Sequence, residues 1–234
     1  MENGFAHLFA PDETCESEVE TDSYLLAATD KHDSMKKAIF LFLLIGLFIS
    51  CNYSDAQPAM SSKKILIVYL SRTKNTKAVA EIIKKNVGGT LIDLELQIPY
   101  PEDYKAQVRQ VVAENERNYL PPLKTKIDSV EKYDIVFIGF PTWDMKMPPP
   151  VKSFLHGYSL AGKTVIPFNT HAGYGVGSGF ETVKELCPNS NVLEGFSTKG
   201  GIERDGILYV MEGEKLKEMQ AEIKKWLQDI KLVK

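Results

Sequence analysis

From Lys63 onward the chain alternates between two hydrophobic patterns. Residues 65–70, 91–94, 135–138, 165–168 and 192–196 are short, continuous apolar runs. Continuous runs, as opposed to in-and-out alternation, predict parallel strands covered on both faces. Between them, apolar residues recur every three or four positions, the helical spacing. The stretch 78–87 ends at Gly88-Gly89, a C-cap pair. Tyr104, Val108, Val111 and Val112 mark one face of 103–118, and Pro121-Pro122 stops it. The segment 149–158 opens with proline, which suits a first helical turn. Ser178 and Glu181 are spaced as a capping box ahead of a helix carrying Val183 and Leu186. A last helix, 214–231, aligns Leu216, Met219, Ile223, Trp226 and Ile230 on one stripe. Five strands alternating with five helices predict one α/β domain over 63–234, a three-layer, doubly wound sandwich around a five-stranded parallel sheet. Pro167 falls inside the fourth strand, where it supplies no ladder N–H, so a strand end or local irregularity is expected there.

The first sixty residues follow a different logic. Lys36 and Lys37 follow Met35, residues 38–49 are apolar with one glycine, and Ser50-Cys51 closes the run. These are the three parts of an export signal over 35–51, and the run is short for a membrane span. Leu47-Phe48-Ile49-Ser50-Cys51 resembles a loose bacterial lipobox, with Phe48 and Ile49 bulkier than the strict pattern. That resemblance implies lipidation of Cys51 and a membrane anchor. Small residues at Ser54 and Ala56 offer a second cut, which would release a protein beginning at Gln57. Residues 1–34 are acidic and aperiodic and lie upstream of the signal, so Met35 is the expected start and 1–34 an untranslated or disordered extension. Residues 52–62 read as a tether with an average span of about 18 Å.

Charge narrows the partners. Residues 1–51 carry Lys31, Lys36 and Lys37 against nine Asp/Glu, leaving 25 Lys/Arg and 22 Asp/Glu for the rest. A nearly neutral body gives no footprint for nucleic acid. Cys15, Cys51 and Cys187 share no CxxC or zinc spacing, so neither a disulfide framework nor a metal site is indicated.

Candidate chemistry concentrates in three loops after predicted strands. Ser71-Arg72-Thr73-Lys74-Asn75-Thr76 follows the first strand and opens a helix. Its hydroxyls and the free N–H groups of the helix start can surround a dianion; the same hydroxyls can equally cap the helix. Pro141-Thr142-Trp143-Asp144 follows the third strand, and Thr170-His171-Ala172-Gly173-Tyr174-Gly175 the fourth. A phosphate-transferring P-loop is disfavoured, because G-x-x-x-x-G-K-[ST] is missing.

In order along the chain, these loops resemble the flavodoxin-like family of short-chain type, whose first loop reads roughly Ser/Thr-x-Thr-Gly-x-Thr. Tyr100-Pro101-Glu102-Asp103-Tyr104, Met147-Pro148-Pro149-Pro150-Val151, Leu186-Cys187-Pro188 and Val192-Leu193-Glu194-Gly195 belong to the same resemblance. It implies strand order 2-1-3-4-5, with FMN beyond the carboxyl ends of the strands at the switch point between the first and third. It further implies that residues 71–76 hold the phosphate and that Trp143 stacks on the isoalloxazine. Backbone N–H groups of residues 172–175 would approach its pyrimidine edge, Tyr174 would cover the outer face and His171 would reach the ring edge. The flavin would carry the chemistry, with no catalytic side chain needed. Two departures stand out: Lys74 replaces a usual glycine, and Asp144 stands where many relatives carry a second aromatic. The expected function is an exported redox protein of the periplasm or cell envelope, passing electrons to a partner protein or small acceptor. The alternatives are a quinone-type reductase and a flavin-free binding module.

Overall fold

The computed structural model describes residues 63–234. The expectations for 1–34, for the signal at 35–51 with Cys51, and for the tether at 52–62 lie outside the described residues. The elements run β1 (Ile65–Tyr69), α1 (Asn75–Val87), β2 (Thr90–Asp93), α2 (Tyr104–Glu116), β3 (Ile135–Pro141), α3 (Pro149–Gly157), β4 (Thr164–His171), α4 (Gly179–Leu186), β5 (Asn191–Val192), β6 (Phe196–Lys199) and α5 (Gly213–Asp229). All strand pairs are parallel, in the order β2-β1-β3-β4-β5, with β6 also paired to β4. The chain leaves β1 toward β2 and returns to β1's other edge as β3. A crevice therefore opens beyond the carboxyl ends of β1 and β3.

Continuous apolar strands are explained by the two cores. Alternate residues of one strand point to opposite faces. Leu66, Val68, Val136, Ile138 and Phe140 enter one core with Val151, Phe154 and Val183 of α3 and α4. Ile67, Tyr69, Phe137, Ile166 and Phe168 enter the other with Val79 and Ile83 of α1 and Met219, Ile223 and Trp226 of α5. Neither face of the sheet can be polar, so the period-2 signature vanishes.

Three local expectations are corrected. The fifth strand is not one run over 192–196 but the pair β5 and β6, interrupted at Leu193-Glu194-Gly195. Pro167 explains the break. It lies within β4, not at its end, and pairs in register with Ile138 of β3. Leu193 N donates to Val165 O on the β5 side, 2.9 Å; backbone groups two residues apart share an edge. The missing N–H of Pro167 thus faces the interruption, and the irregularity is displaced into the neighbouring strand. The capping box does not form, since Ser178 makes no side-chain cap bond. The first helix begins at Asn75, within the 71–76 segment expected to open it. Finally, the helix predicted over 103–118 is turned relative to its expected apolar face: α2 buries Gln107, Val111, Glu114 and Asn115, while Tyr104 and Val108 are exposed.

Candidate functional site

Loops from β1, β3, β4 and β6 meet beyond the sheet and enclose a cleft of ≈ 290 Å³. The β1 loop supplies its polar floor. Lys74 sits at φ +65°, ψ −3° immediately before α1 and makes no side-chain cap bond. This left-handed residue is what swings the chain into the helix, a conformation glycine adopts without strain and lysine does not. The backbone N–H groups of residues 72–76 have no acceptor among the described residues. Together with the positive end of the α1 dipole they form a donor set matched to a phosphate.

The side chains of this loop face inward on the protein more than the sequence implied. Ser71 Oγ accepts from Lys77 N at 3.2 Å, a capping contact. Thr76 Oγ1 and Thr170 Oγ1 share a buried hydrogen bond of 2.8 Å, tying the first loop to the end of β4. Asn75 Nδ2 donates to Thr73 Oγ1 at 2.8 Å and to Leu208 O at 2.6 Å, and its Oδ1 accepts from Val210 N at 3.1 Å. Arg72 pairs with Glu203 at 2.7 Å, and its guanidinium also donates to Pro101 O and Glu102 O. Arg72 and Asn75 therefore fasten the segment 202–210 beside the cleft. The phosphate donors left over there are the backbone groups and the Thr73 hydroxyl, whose oxygen accepts from Asn75 while its proton is still free to donate.

The β3 loop forms a two-residue hairpin. Trp143 and Lys146 exchange backbone hydrogen bonds of 3.2 and 2.9 Å across Asp144 (φ +52°) and Met145 (φ +54°). Positive φ at both central residues is the type I′ pattern, which Asn-Gly adopts at low cost and Asp-Met at about 1–3 kcal/mol per residue. Neighbours hold it there. Ser178 N donates to Met145 O at 3.0 Å, Asn115 Nδ2 donates to Asp144 Oδ2 at 3.2 Å, and Lys146 lies 3.7 Å from that carboxylate. Gly177 packs so closely on the Met145 carbonyl that any Cβ would overlap it. Half-buried Trp143 lines the cleft from this hairpin and meets the Tyr100 ring edge-to-face, centroids 5.5 Å apart.

The β4 loop closes the other side. Thr142 N donates to Thr170 O, and Thr142 Oγ1 lies 3.0 Å from Gly175 O, locking the second and third loops together. His171 Nδ1 accepts from Gly173 N at 3.0 Å. Its proton in the neutral ring therefore belongs on Nε2. Burial, and then the Lys199 charge, holds the His171 pKa below its ordinary value. Tyr174 is 66% exposed at the mouth, its hydroxyl 3.4 Å from Arg204 Nη1.

Of the predicted residues, Arg72, Thr73, Asn75, Thr76, Pro141, Thr142, Trp143, Asp144, Thr170, His171, Ala172, Tyr174 and Gly175 line this one cleft. Ser71, Lys74 and Gly173 do not line it; they shape the loops that do. Sequence reasoning missed a fourth wall, Gly200 to Arg204, and also Tyr104 and Met145. The Gly200-Gly201 pair was its available signal. At Gly201 an added Cβ would overlap the Leu208 carbonyl, so the wall can fold back only through glycine. Among the described residues no cluster of His, Cys, Asp and Glu could hold a metal.

A flavodoxin family model matches residues 64–214. A candidate flavoprotein from Bacteroides eggerthii DSM 20697 is 31% identical over 73% of this chain and 99% of its own, with a TM-score of 0.58. One from Bacteroides uniformis ATCC 8492 is 24% identical over 71% and 98%, also at 0.58. A flavoprotein of Lactobacillus acidophilus NCFM, solved in complex with FMN, is 23% identical over 58% and 93%, at 0.53. Among curated proteins none matches the chain. The chain belongs to the flavodoxin family, with the family's α/β fold of sheet order 2-1-3-4-5.

Proposed function

We propose that the cleft binds FMN non-covalently and that the protein is a redox protein working through it. The observation that carries this reading is the donor set of the β1 loop, the free backbone N–H groups of 72–76, in one cleft with a half-buried indole. A phosphate-tailed, planar aromatic ligand satisfies both. Residues 72–76 would hold the phosphate, Thr142 and Thr170 flank the polar chain, and Trp143 and Tyr174 cover the ring. When bound, FMN supplies reversible one- and two-electron transfer. The protein's own part is to exclude water with the Trp143 hairpin and the 200–204 wall, and to present backbone N–H groups and the His171 Nε2–H to the ring edge. The FMN complex of the Lactobacillus acidophilus relative supports the same ligand.

The test is an absorption spectrum of the purified chain before and after adding FMN. Flavin bands near ~450 nm that persist through desalting, with quenched fluorescence, support the reading. A colourless protein that leaves FMN fluorescence untouched overturns it in favour of a flavin-free module.

Electron transfer to a partner protein is the proposed role, on an exported protein of the cell envelope anchored through Cys51. The apolar run behind a basic start and the lipobox-like Ser50-Cys51 support export, and nicotinamide donors are scarce outside the cytoplasm. Rapid NADPH oxidation by the FMN-loaded protein in stopped flow would favour a quinone-type reductase instead. Mass spectrometry of the mature N-terminus tests the anchor; a product starting at Gln57 overturns it.

A further inference from the structure

Tyr100 opens the Tyr100–Tyr104 motif, yet it does not line the cleft, and nothing in the proposed binding of FMN uses it. It is half-buried against α2, the helix whose inner face is polar. Gln107, Glu114 and Asn115 are 4%, 3% and 7% exposed. Burying a carboxylate and two carboxamides disfavours folding unless each group is paired. Gln107 Oε1 has no partner among the described residues, so packing alone does not account for this face.

The groups that are paired lead to one place. The Tyr100 hydroxyl donates to Glu114 Oε2 at 2.5 Å, and Gln110 Nε2 donates to Glu114 Oε1 at 2.8 Å. The Tyr100 ring then meets Trp143 in a T-shaped contact with an interplanar angle of 87°. One residue along the helix, Asn115 donates to Asp144 and accepts from Lys152 Nζ at 3.1 Å. Both chains of contact end on the hairpin that carries the indole. Burial and the Glu114 carboxylate push the Tyr100 phenol above its ordinary range, so it remains a donor across physiological pH.

We propose that Tyr100 and Glu114 are positioning residues that set the tilt of the Trp143 indole against the flat ligand of the cleft, with Asn115 holding the adjacent Asp144. An indole on a two-residue hairpin rotates about its side-chain bonds unless something stops it. A phenol anchored at its hydroxyl by a buried acceptor is a fixed ring, and an edge-to-face contact with it defines one orientation. The inference rests on the FMN reading for its ligand, but not for the positioning itself.

The experiment has two readouts on the full chain. FMN titration by fluorescence quenching is made for wild type, Tyr100→Phe, Trp143→Leu and the double variant. Tyr100→Phe should weaken FMN about three- to tenfold, and less than about twofold once Trp143 is leucine. Equal losses in both backgrounds overturn the proposal. The second readout needs no FMN. The chain has two tryptophans, and the Trp143 indole N–H resonance is identified by its absence from Trp143→Phe. Glu114→Ala should shift and broaden it, while Glu114→Gln, which keeps an acceptor for the phenol, should restore it. An indole resonance unmoved in Tyr100→Phe and Glu114→Ala overturns the proposal. A responding indole in a protein that ignores FMN supports the positioning and overturns only the ligand.

Discussion

Replacing Lys74 by glycine tests whether the phosphate loop is built on a strained residue. Lys74 is exposed, makes no side-chain cap bond, and holds φ +65°, ψ −3° at the entry to α1. The left-handed region disfavours an L-residue by roughly 1–2 kcal/mol. Glycine relieves that but loses about 0.5–1 kcal/mol more chain entropy on folding. The net gain is about 0.5–1 kcal/mol, which raises Tm by about 1–4 °C in a domain of this size. Lys74→Ala is the control, because it removes the same charge and side chain while keeping a Cβ in the strained region. At an exposed site it should stay within about 0.5 kcal/mol of wild type. The assay is thermal unfolding by circular dichroism in FMN-free protein, since a ligand specific to the native state adds its own stabilisation. A Lys74→Gly protein no more stable than Lys74→Ala would show that the loop carries no such strain.

Four further outcomes follow from the same geometry. Trp143→Ala should weaken FMN by about tenfold or more through lost ring cover, read by fluorescence titration. Arg72→Ala strands Glu203 and two backbone carbonyls; at 20% side-chain exposure this loses about 1–2 kcal/mol locally, seen as faster hydrogen exchange at Gly206 and Ile207. His171 has a native pKa below its unfolded value, so the unfolded chain takes up the proton first. Stability present above the unfolded pKa of about 6.5 is lost as pH falls through the lower native value, and denaturant titrations of His171→Gln from pH 7 to 5 should show a flatter decline. Gly139→Ala would drive a methyl into the ring of fully buried Phe168, destabilising the domain by about 3 kcal/mol or more in chemical denaturation.

Much of the fold was legible because its cause is local. Residues such as Leu66 to Tyr69 and Ile135 to Phe140 are apolar on both parities, and a strand with two buried faces has no other pattern available. The helix α5 shows its buried stripe directly in the 3.6-residue recurrence of Met219, Ile223 and Trp226. The loops that end the strands could be read as a ligand site because parallel topology sends them to one end of the sheet.

What remained hidden depended on partners distant in sequence. The face of α2 could not be read from its apolar residues, since Glu114 and Asn115 are buried by what Tyr100, Asp144 and Lys152 offer them. Likewise Arg72 and Asn75 look like ligand residues in a phosphate loop, and only the return of residues 203–210 to that loop shows where their hydrogen bonds go. The chain by itself therefore determined the layers, the strand and helix alternation and the backbone cradle, all products of hydrophobic period and chain geometry. Tertiary structure alone decided which polar side chains face the cleft and which support its walls, because a hydrogen bond is assigned by where its partner lies in space.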